Sequence, residues 1–272
     1  MKINLFGMPH GKIGPYLTNS YFLYGNENDA NSLLEFIDNE LSHSSKEDIP
    51  CHIFSKVKVQ YRTNKIYSKV IKELINYIKL NINVDEIDYI SGGERRDWFF
   101  SNIIAHLLKK PHITIYKNLS CVLSDYKFIQ SEAIKKIEGK NVLHIADLLN
   151  QASSYLRAWI PAIRKLGGHI KWSLACIDKN QVGTERLKKA YVQPFALINI
   201  NTDLFDEALK CGIINRNQHD MLLLYTYNPD KTMRKFLLDH PDFLDISLNE
   251  DAQTSKRAKL CIKEDFYQLN NR

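Results

Sequence analysis

Apolar residues recur at helical spacing in two segments of the first third of the chain. Residues 30–41 place Leu33, Ile37 and Leu41 on one face. Residues 66–80 repeat this pattern and carry lysines on the opposite face, which is typical of an amphipathic helix with a solvated side. The sequence therefore predicts two helices here, separated by a stretch of different character.

The intervening stretch predicts a loop and a strand. The polar segment 42–50, SHSSKEDIP, favours a loop. In the next segment, CHIFSKVKV, apolar and polar residues alternate, which predicts a strand with Ile53, Val57 and Val59 facing inward.

From residue 87 onward, short apolar strands alternate with helical patterns. This alternation is typical of βαβ units and predicts an α/β fold, with a mainly parallel twisted sheet and helices on both faces. After residue 200 the pattern is helical, with Pro229 and Pro241 as breaks. The predicted strands are 87–90, 112–116, 142–146, 170–177 and 195–200, and the predicted helices are 97–109, 153–166 and a short one after Thr184.

Two predicted strands, 87–90 and 112–116, end in residues that suit an anionic ligand. In a parallel sheet, ligands bind outside the carboxyl ends of the strands. Paired glycines allow close approach of the backbone, and cationic side chains suit a pyrophosphate. The alternative is a glycine-rich turn whose arginines pair with Glu94, Asp97 and other acids, beside a solvated lysine. The candidates for the anion are Gly92, Gly93, Arg95, Arg96 and Lys117.

The strand 142–146 leads to an acid and a small polar turn. Asp147 stands at its predicted end, where a carboxylate can hold sugar hydroxyls directly or through a metal. The backbone N–H groups of a following helix start are well placed for phosphate. The candidate phosphate turn consists of Asn150, Gln151, Ala152, Ser153 and Ser154.

Other chemically notable residues favour structural roles. His144 is expected to be a hydrogen-bonded core histidine, and Asp178 is expected to stabilise a turn. Trp98 and Trp159 are expected in the core or at a subunit contact. The five cysteines show no zinc-ligand spacing, so a structural metal is not expected.

Composition and charge exclude some broad classes. Apolar residues make up 44% and charged residues 25% of the 272, which is an ordinary globular balance. The net charge of +6 fits an anionic ligand, although charge alone equally describes a mildly basic surface. Glycine and proline interrupt MKINLFGMPHGKIGP before a signal-type run develops, and no segment suits a membrane span. We expect a cytoplasmic protein without membrane contact.

The order of these segments resembles the type I phosphoribosyltransferases, and most of all the orotate phosphoribosyltransferase branch. The resemblance covers about residues 60–200. VLHIADLLNQASS follows the layout of an apolar strand, acids and a phosphate turn, Ser91-Gly92-Gly93 resembles a pyrophosphate loop, and the run from Asp178 to Leu187 resembles a motif near the end of orotate-type domains. The resemblance implies an N-terminal hood segment 1–60, a core 61–200 and a C-terminal helical extension 201–272.

This resemblance implies a ligand and residue roles. The ligand would be phosphoribosyl pyrophosphate (PRPP), with Mg²⁺ bound through PRPP, Asp147 being its one candidate protein contact. Asp147 and Lys117 would be the catalytic residues, Asp147 at the ribose and Lys117 at the pyrophosphate. Gly92, Gly93, Arg95 and, with weaker support, Arg96 would bind pyrophosphate, and the turn 150–154 would bind the 5′-phosphate.

The sequence also departs from the family pattern. Ala146 replaces the first of two adjacent acids, and Ala152 replaces a glycine, which predicts strain where the turn needs a positive φ. The Lys-x-His-Gly signature of the orotate enzymes is absent between Lys117 and Gly139. PRPP binding is therefore better supported than turnover.

Two functions remain open. The first is phosphoribosyl transfer from PRPP to a nitrogenous base, with release of pyrophosphate, by an enzyme of the pentosyltransferase class. The second is a non-catalytic module of the same fold that binds PRPP or a nucleotide as a sensor or interaction partner. A nucleic-acid binder ranks last, because charge alone supports it. Similar proteins commonly form homodimers, although nothing in this sequence demonstrates one.

Overall fold

A computed structural model describes residues 6–7, 12–16, 18–180 and 182–269. Two parts of the sequence discussed above lie outside these residues. One is most of the N-terminal stretch in which no signal sequence was expected, and the other is Gln181 in the run from Asp178 to Leu187. The described strands are β1 Phe6–Gly7, β2 Ile13–Gly14, β3 Tyr89–Gly93, β4 His112–Ile115, β5 Cys121–Ser124, β6 Ser131–Ala133, β7 Asn141–Leu149, β8 His169–Asp178 and β9 Gln193–Asn199.

The α-helices surround or follow these strands in chain order. They are α1 Glu27–His43, α2 Ile49–Thr63, α3 Lys65–Asn81, α4 Trp98–Leu108, α5 Ile160–Lys165, α6 Gly183–Lys189, α7 Thr202–Lys210, α8 Arg216–Tyr227, α9 Pro229–Asp239, α10 Phe243–Leu248 and α11 Ala252–Glu264. Short 3-10 helices at Ser20–Tyr24 and Val84–Glu86 and a π-turn at Tyr155–Trp159 complete the described elements.

The chain forms two compact units. The larger unit is residues 19–199, and the smaller one combines the described parts of 1–18 and 200–272. In the smaller unit β1 pairs with β2, and the main-chain N–H of Ile13 donates to the Tyr267 hydroxyl at 2.9 Å. Met233 and Cys261 are buried in the same small core.

In the larger unit a single mixed sheet spans the described residues in the order β6-β5-β4-β3-β7-β8-β9. The five adjacent strands β4, β3, β7, β8 and β9 are parallel, and β5 and β6 add antiparallel pairing at one edge. Leu143 and Ile145 of β7 belong to one core cluster with helices α1 to α4, while Val142 and Ala146 belong to another with α5. Helices therefore cover both faces, and the predicted α/β fold is confirmed.

Residues 51–59 were predicted as a strand, and this prediction is wrong. They lie within α2, whose buried residues Ile49, Ile53 and Val57 repeat every four positions, while Val59 is 60% exposed. The helix buries that stripe between α3 and α4. The short apolar alternation also fitted a helical period, and tertiary packing selected the helix.

Other boundaries differ from the sequence-based ones. Strand β3 extends to Gly93, and β7 runs to Leu149, so that Asp147 lies inside a strand and not at its end. The helix predicted from residue 153 does begin there, but residues 155–159 of it form the π-turn before α5. Strands β5 and β6 were not predicted, because they are short and lie at the edge. None of the described helices has both the length and the apolar character required to cross a membrane.

The helical assignment of residues 51–59 can be tested by matched truncations. Ile53→Ala should lower the free energy of unfolding by about 2–4 kcal/mol, because it leaves a cavity in the core. Val59→Ala should change it by less than about 0.5 kcal/mol, because the side chain faces solvent. Urea unfolding of both variants measures the difference, and equal losses would contradict the helix.

Candidate functional site

The parallel register brings the predicted strand ends to one edge of the sheet. Gly93 of β3 lies opposite Ile115 of β4, and the Lys117 N–H donates to Glu94 Oε2 at 3.2 Å. On the other side of β3, Ser91 lies opposite His144, three residues before Asp147. The glycine pair, the lysine and the acid therefore lie at the same edge, as their sequence positions predicted.

A buried carboxylate that the sequence analysis did not single out connects these parts. Asp97 Oδ1 accepts the Asp147 N–H at 3.0 Å, and Asp97 Oδ2 accepts the Gly93 N–H at 3.0 Å. His144 Nε2 lies 3.3 Å from Asp97 Oδ2. Asp97 was considered only as a surface partner for arginines, yet it lies inside the site and is 8% exposed.

His144 is the hydrogen-bonded core histidine that the sequence predicted. Its Nδ1 lies 2.9 Å from Ser91 Oγ, and its ring contacts those of Tyr155 and Trp159. A neutral imidazole with its proton on Nε2 donates to Asp97 and accepts from the Ser91 hydroxyl. This tautomer satisfies both ring nitrogens.

Asp147 is buried and bound by its own chain. The Ser20 hydroxyl donates to Asp147 Oδ2 at 2.9 Å. Burial, and then the negative charge of Asp97, raise the pKa of Asp147 to about 7. The charge of a neighbouring carboxylate opposes the ionisation of a second one. Asp147 therefore keeps its proton to a higher pH than an ordinary aspartate does.

The two glycines are required by the packing of the protein itself. A Cβ at Gly93 would overlap the indole of Trp159, and one at Gly92 would overlap Ser101. The Trp98 indole N–H also donates to the Gly92 carbonyl at 3.0 Å. Trp159 is a core residue, as expected, and closely covers this part of the predicted pyrophosphate loop.

Each predicted cation has a partner within the larger unit. Arg95 forms an ion pair with Asp38, and Lys117 Nζ lies 3.1 Å from Glu94 Oε1. The Arg96 guanidinium lies over the Tyr21 ring, 4.1 Å from its centroid. The structural alternative considered for the arginines, pairing with nearby acids, thus describes the contact of Arg95. Lys117, whose alternative was a solvated lysine, is 66% exposed and pairs with Glu94.

The predicted phosphate turn keeps an unusual backbone. Ala152 has φ of 54°, so the strain expected from replacing glycine is present. Ser153 and Ser154 are exposed, while the Gln151 carbonyl accepts from Arg186 at 3.0 Å. The buried Oδ1 of Asn150 has no hydrogen-bond partner among the described residues.

Asp178 stabilises the neighbouring turn, as expected. Its Oδ1 accepts the Asn180 N–H at 2.8 Å, and its Oδ2 accepts the Thr184 hydroxyl at 2.7 Å. The described residues contain no group of three or more His, Cys, Asp or Glu side chains that could hold a metal.

A comparison of the sequence with known protein families finds no family model that matches the chain. The orotate phosphoribosyltransferase of Sulfolobus acidocaldarius is 22% identical over 163 residues, which cover 59% of this chain and 76% of the relative. The chain resembles an orotate phosphoribosyltransferase. The resemblance predicted from the motifs is therefore confirmed by a sequence relative.

Solved structures similar to this one include three phosphoribosyltransferase-related proteins. The Francisella tularensis orotate phosphoribosyltransferase has a TM-score of 0.49 and 14% identity, over 82% of this chain and 87% of its own. The Leishmania donovani UMP synthase has a TM-score of 0.48 and 17% identity, over 61% and 34%. The Thermoanaerobacter pseudethanolicus adenine phosphoribosyltransferase has a TM-score of 0.40 and 20% identity, over 50% and 81%. The chain spans about a third of the UMP synthase.

The raised pKa of Asp147 predicts a pH-dependent effect of Asp147→Asn. The unfolded carboxyl releases its proton near pH 3.9, whereas the folded one keeps it until about pH 7. Wild-type stability therefore falls over this interval. The Asn amide mimics the protonated carboxyl, so the stability of the variant relative to wild type should rise by at least about 1 kcal/mol between about pH 4.5 and 7.5. Urea unfolding at each pH measures this difference.

Asp88→Asn is the matched control for that measurement. Asp88 also accepts an N–H of β7, from Asn141 at 2.8 Å. Although desolvation opposes the shift, this bond and Lys140 lower the pKa of Asp88. Its charge therefore stays constant over the same pH interval, and the stability difference of Asp88→Asn should not change. A constant difference for Asp147→Asn as well would show that Asp147 is ionised throughout.

The backbone at Ala152 predicts opposite tolerances for two substitutions. Ala152→Val should lower the free energy of unfolding by more than about 2 kcal/mol, because a β-branched residue is poorly accommodated at positive φ in a buried site. Ala152→Gly should stay within about 1 kcal/mol of wild type, because relief of strain offsets the lost methyl burial and the gain in chain flexibility. Thermal and urea unfolding measure both, and a tolerated valine would contradict the described turn.

Proposed function

We propose that the chain binds PRPP at the edge formed by β3, β4 and β7 and transfers its phosphoribosyl group to a nitrogenous base. The observation that carries this proposal is the register that brings Gly93, Lys117 and Asp147 to one edge. The sequence relative named as an orotate phosphoribosyltransferase supports the same reaction class. The base could be orotate or a related compound.

In this reaction the bond between the anomeric carbon and the pyrophosphate oxygen breaks, and a bond to the base nitrogen forms. The pyrophosphate leaves with the electron pair, and the base nitrogen gives its proton to water or to the leaving pyrophosphate. The anomeric carbon passes through an oxocarbenium-like state, as it does in glycoside cleavage. Residues that hold the leaving pyrophosphate and orient the ribose therefore lower the barrier.

The chain's own residues would divide this work. Arg95 and Lys117 would exchange Asp38 and Glu94 for the pyrophosphate oxygens. Asp147 would orient the ribose hydroxyls, and the exposed Ser153 and Ser154 would bind the 5′-phosphate. Arg96 and the N–H groups of Gly92 and Gly93 are further candidates at the pyrophosphate end, and those of Asn150, Gln151 and Ala152 at the phosphate end.

The fit to magnesium is indirect. Asp147 is buried and bound to Ser20, and no acidic cluster accompanies it among the described residues. Mg²⁺ would therefore reach the site on the oxygens of PRPP, where it would neutralise charge on the leaving pyrophosphate. Every protein contact proposed above is to PRPP itself.

The second candidate function is PRPP or nucleotide binding without transfer. It is favoured by the hydrogen bonds that occupy Asp147 and by the internal partners of the cations. Such a module would act as a sensor or interaction protein. Ligand binding and pyrophosphate release separate the two functions.

Binding is tested with a pair of lysine variants. Lys117→Ala should weaken PRPP binding in the presence of Mg²⁺ at least tenfold, because it removes a pyrophosphate partner. Lys171→Ala removes a comparable exposed ion pair, with Glu86 at 2.7 Å, but Lys171 lies near the amino end of β8, so binding should change less than twofold. Isothermal calorimetry measures both, and equal effects would contradict the assigned site.

Turnover is tested by pyrophosphate detection across a panel of bases that includes orotate. Release that depends on both PRPP and one base supports transfer. Binding without release supports the module. Absence of binding contradicts both, because a ligand at 100 times its Kd must stabilise the native state by about 2.7 kcal/mol.

A further inference from the structure

The strands that carry the two ends of the candidate site separate beyond their last paired residues. The β3–β7 register ends at Ser91 opposite His144. Past this point, the N–H of Gly93 and the N–H of Asp147 both donate to Asp97, each at 3.0 Å. The side chain of Asp97 thus takes the place of the next ladder bonds.

We propose that Asp97 is a positioning residue that couples the pyrophosphate loop to the strand of Asp147, so that the two ends of PRPP bind cooperatively. This inference rests on the proposed function. Nothing in the sequence motifs assigns Asp97 such a role, because it lies outside both segments that it connects.

The chemistry of the carboxylate explains why the connection is stiff. Asp97 receives the two N–H groups and the Nε2–H of His144, and it is nearly completely buried. Three donors converge on this one side chain, and losing one of these bonds leaves a buried polar atom poorly satisfied. A displacement of the Gly93 loop therefore moves the acceptor of the Asp147 N–H as well.

The same contact transmits charge. Asp97 adds to the effect of burial in raising the pKa of Asp147, and it does so from the position just before α4, shortly after the proposed pyrophosphate loop. Ala146 no longer supplies the first acid of the family pattern. Asp97 consequently brings the second carboxyl group to Asp147, although its own oxygens are occupied by protein donors and do not face the ligand.

The test measures the coupling between two half-ligands. Magnesium pyrophosphate probes the loop, and ribose 5-phosphate probes Asp147 and the turn 150–154. Coupling must be reciprocal at equilibrium. In the wild-type full-length chain, saturating magnesium pyrophosphate should raise the affinity for ribose 5-phosphate at least fivefold by calorimetry.

Asp97→Asn should reduce that factor below twofold, because one of its two side-chain atoms is a donor and opposes a main-chain N–H. Each half-ligand alone should still bind within about threefold of wild type. Asp88→Asn, the other acid that accepts an N–H of β7, should keep the wild-type factor. The proposal would be overturned if Asp97→Asn kept the wild-type coupling factor. It would also be overturned if wild type bound both half-ligands without any coupling between them.

If Asp97→Asn does not fold, His144→Asn is the second variant. The asparagine amide places a hydrogen-bonding group for Ser91 where His144 has Nδ1, but it lacks the Nε2–H that donates to Asp97. The coupling factor should therefore fall at least twofold. An unchanged factor in this variant would also count against the proposal.

Amide hydrogen exchange distinguishes failure of this inference from failure of the proposed function. If wild type binds neither half-ligand, the proposed function fails. The connection is then judged by the Gly93 and Asp147 amides, which should exchange at least tenfold faster in Asp97→Asn, while Ile90 and Leu143 stay unchanged. If Asp97→Asn changes the exchange rates of all four amides by the same factor relative to wild type, the role of Asp97 is refuted.

Discussion

The arrangement of the candidate site depends on one buried carboxylate. Asp97 accepts hydrogen bonds from Gly93 and Asp147 and contacts His144, and these three residues come from two different strands. A buried charge is stable only when donors surround it. The position of the glycine loop and the orientation of His144 therefore depend on the Asp97 side chain, which also adds to the effect of burial in raising the pKa of Asp147.

The two ends of the site differ in how readily they could accept a ligand. At the proposed pyrophosphate end, Arg95–Asp38 and Lys117–Glu94 are partly exposed ion pairs, which contribute about 0–1 kcal/mol each. Exchanging such partners for a polyanion costs little. At the proposed ribose end, Asp147 is buried and accepts from Ser20, which is itself 2% exposed. A ligand hydroxyl must compete there with a hydrogen bond already shielded from water.

The sequence predicted the parallel sheet and the common edge because apolar strands followed by polar turns determine both. It mispredicted residues 51–59, where Ile53 and Val57 fit a strand and a helix equally well at short range. It also missed Asp97 and Ser20 as members of the site. Both lie outside the strand-end motifs, and only the tertiary structure brings them to Asp147. One signal was present: Asp97 directly precedes the apolar run Trp98-Phe99-Phe100, which is fully buried at the start of α4.

The two candidate functions require different things from the same carboxyl group. A polyanion can bind to Arg95, Lys117 and main-chain N–H groups whether or not Asp147 carries a charge. Transfer generates positive charge at the anomeric carbon, so it benefits from an ionised acid nearby. Ala146 stands in place of one such acid. Burial, and then Asp97, raise the pKa of the other to about 7, while the Asp97 oxygens accept from main-chain donors. A protonated Asp147 would therefore serve the proposed binding of PRPP better than the proposed transfer.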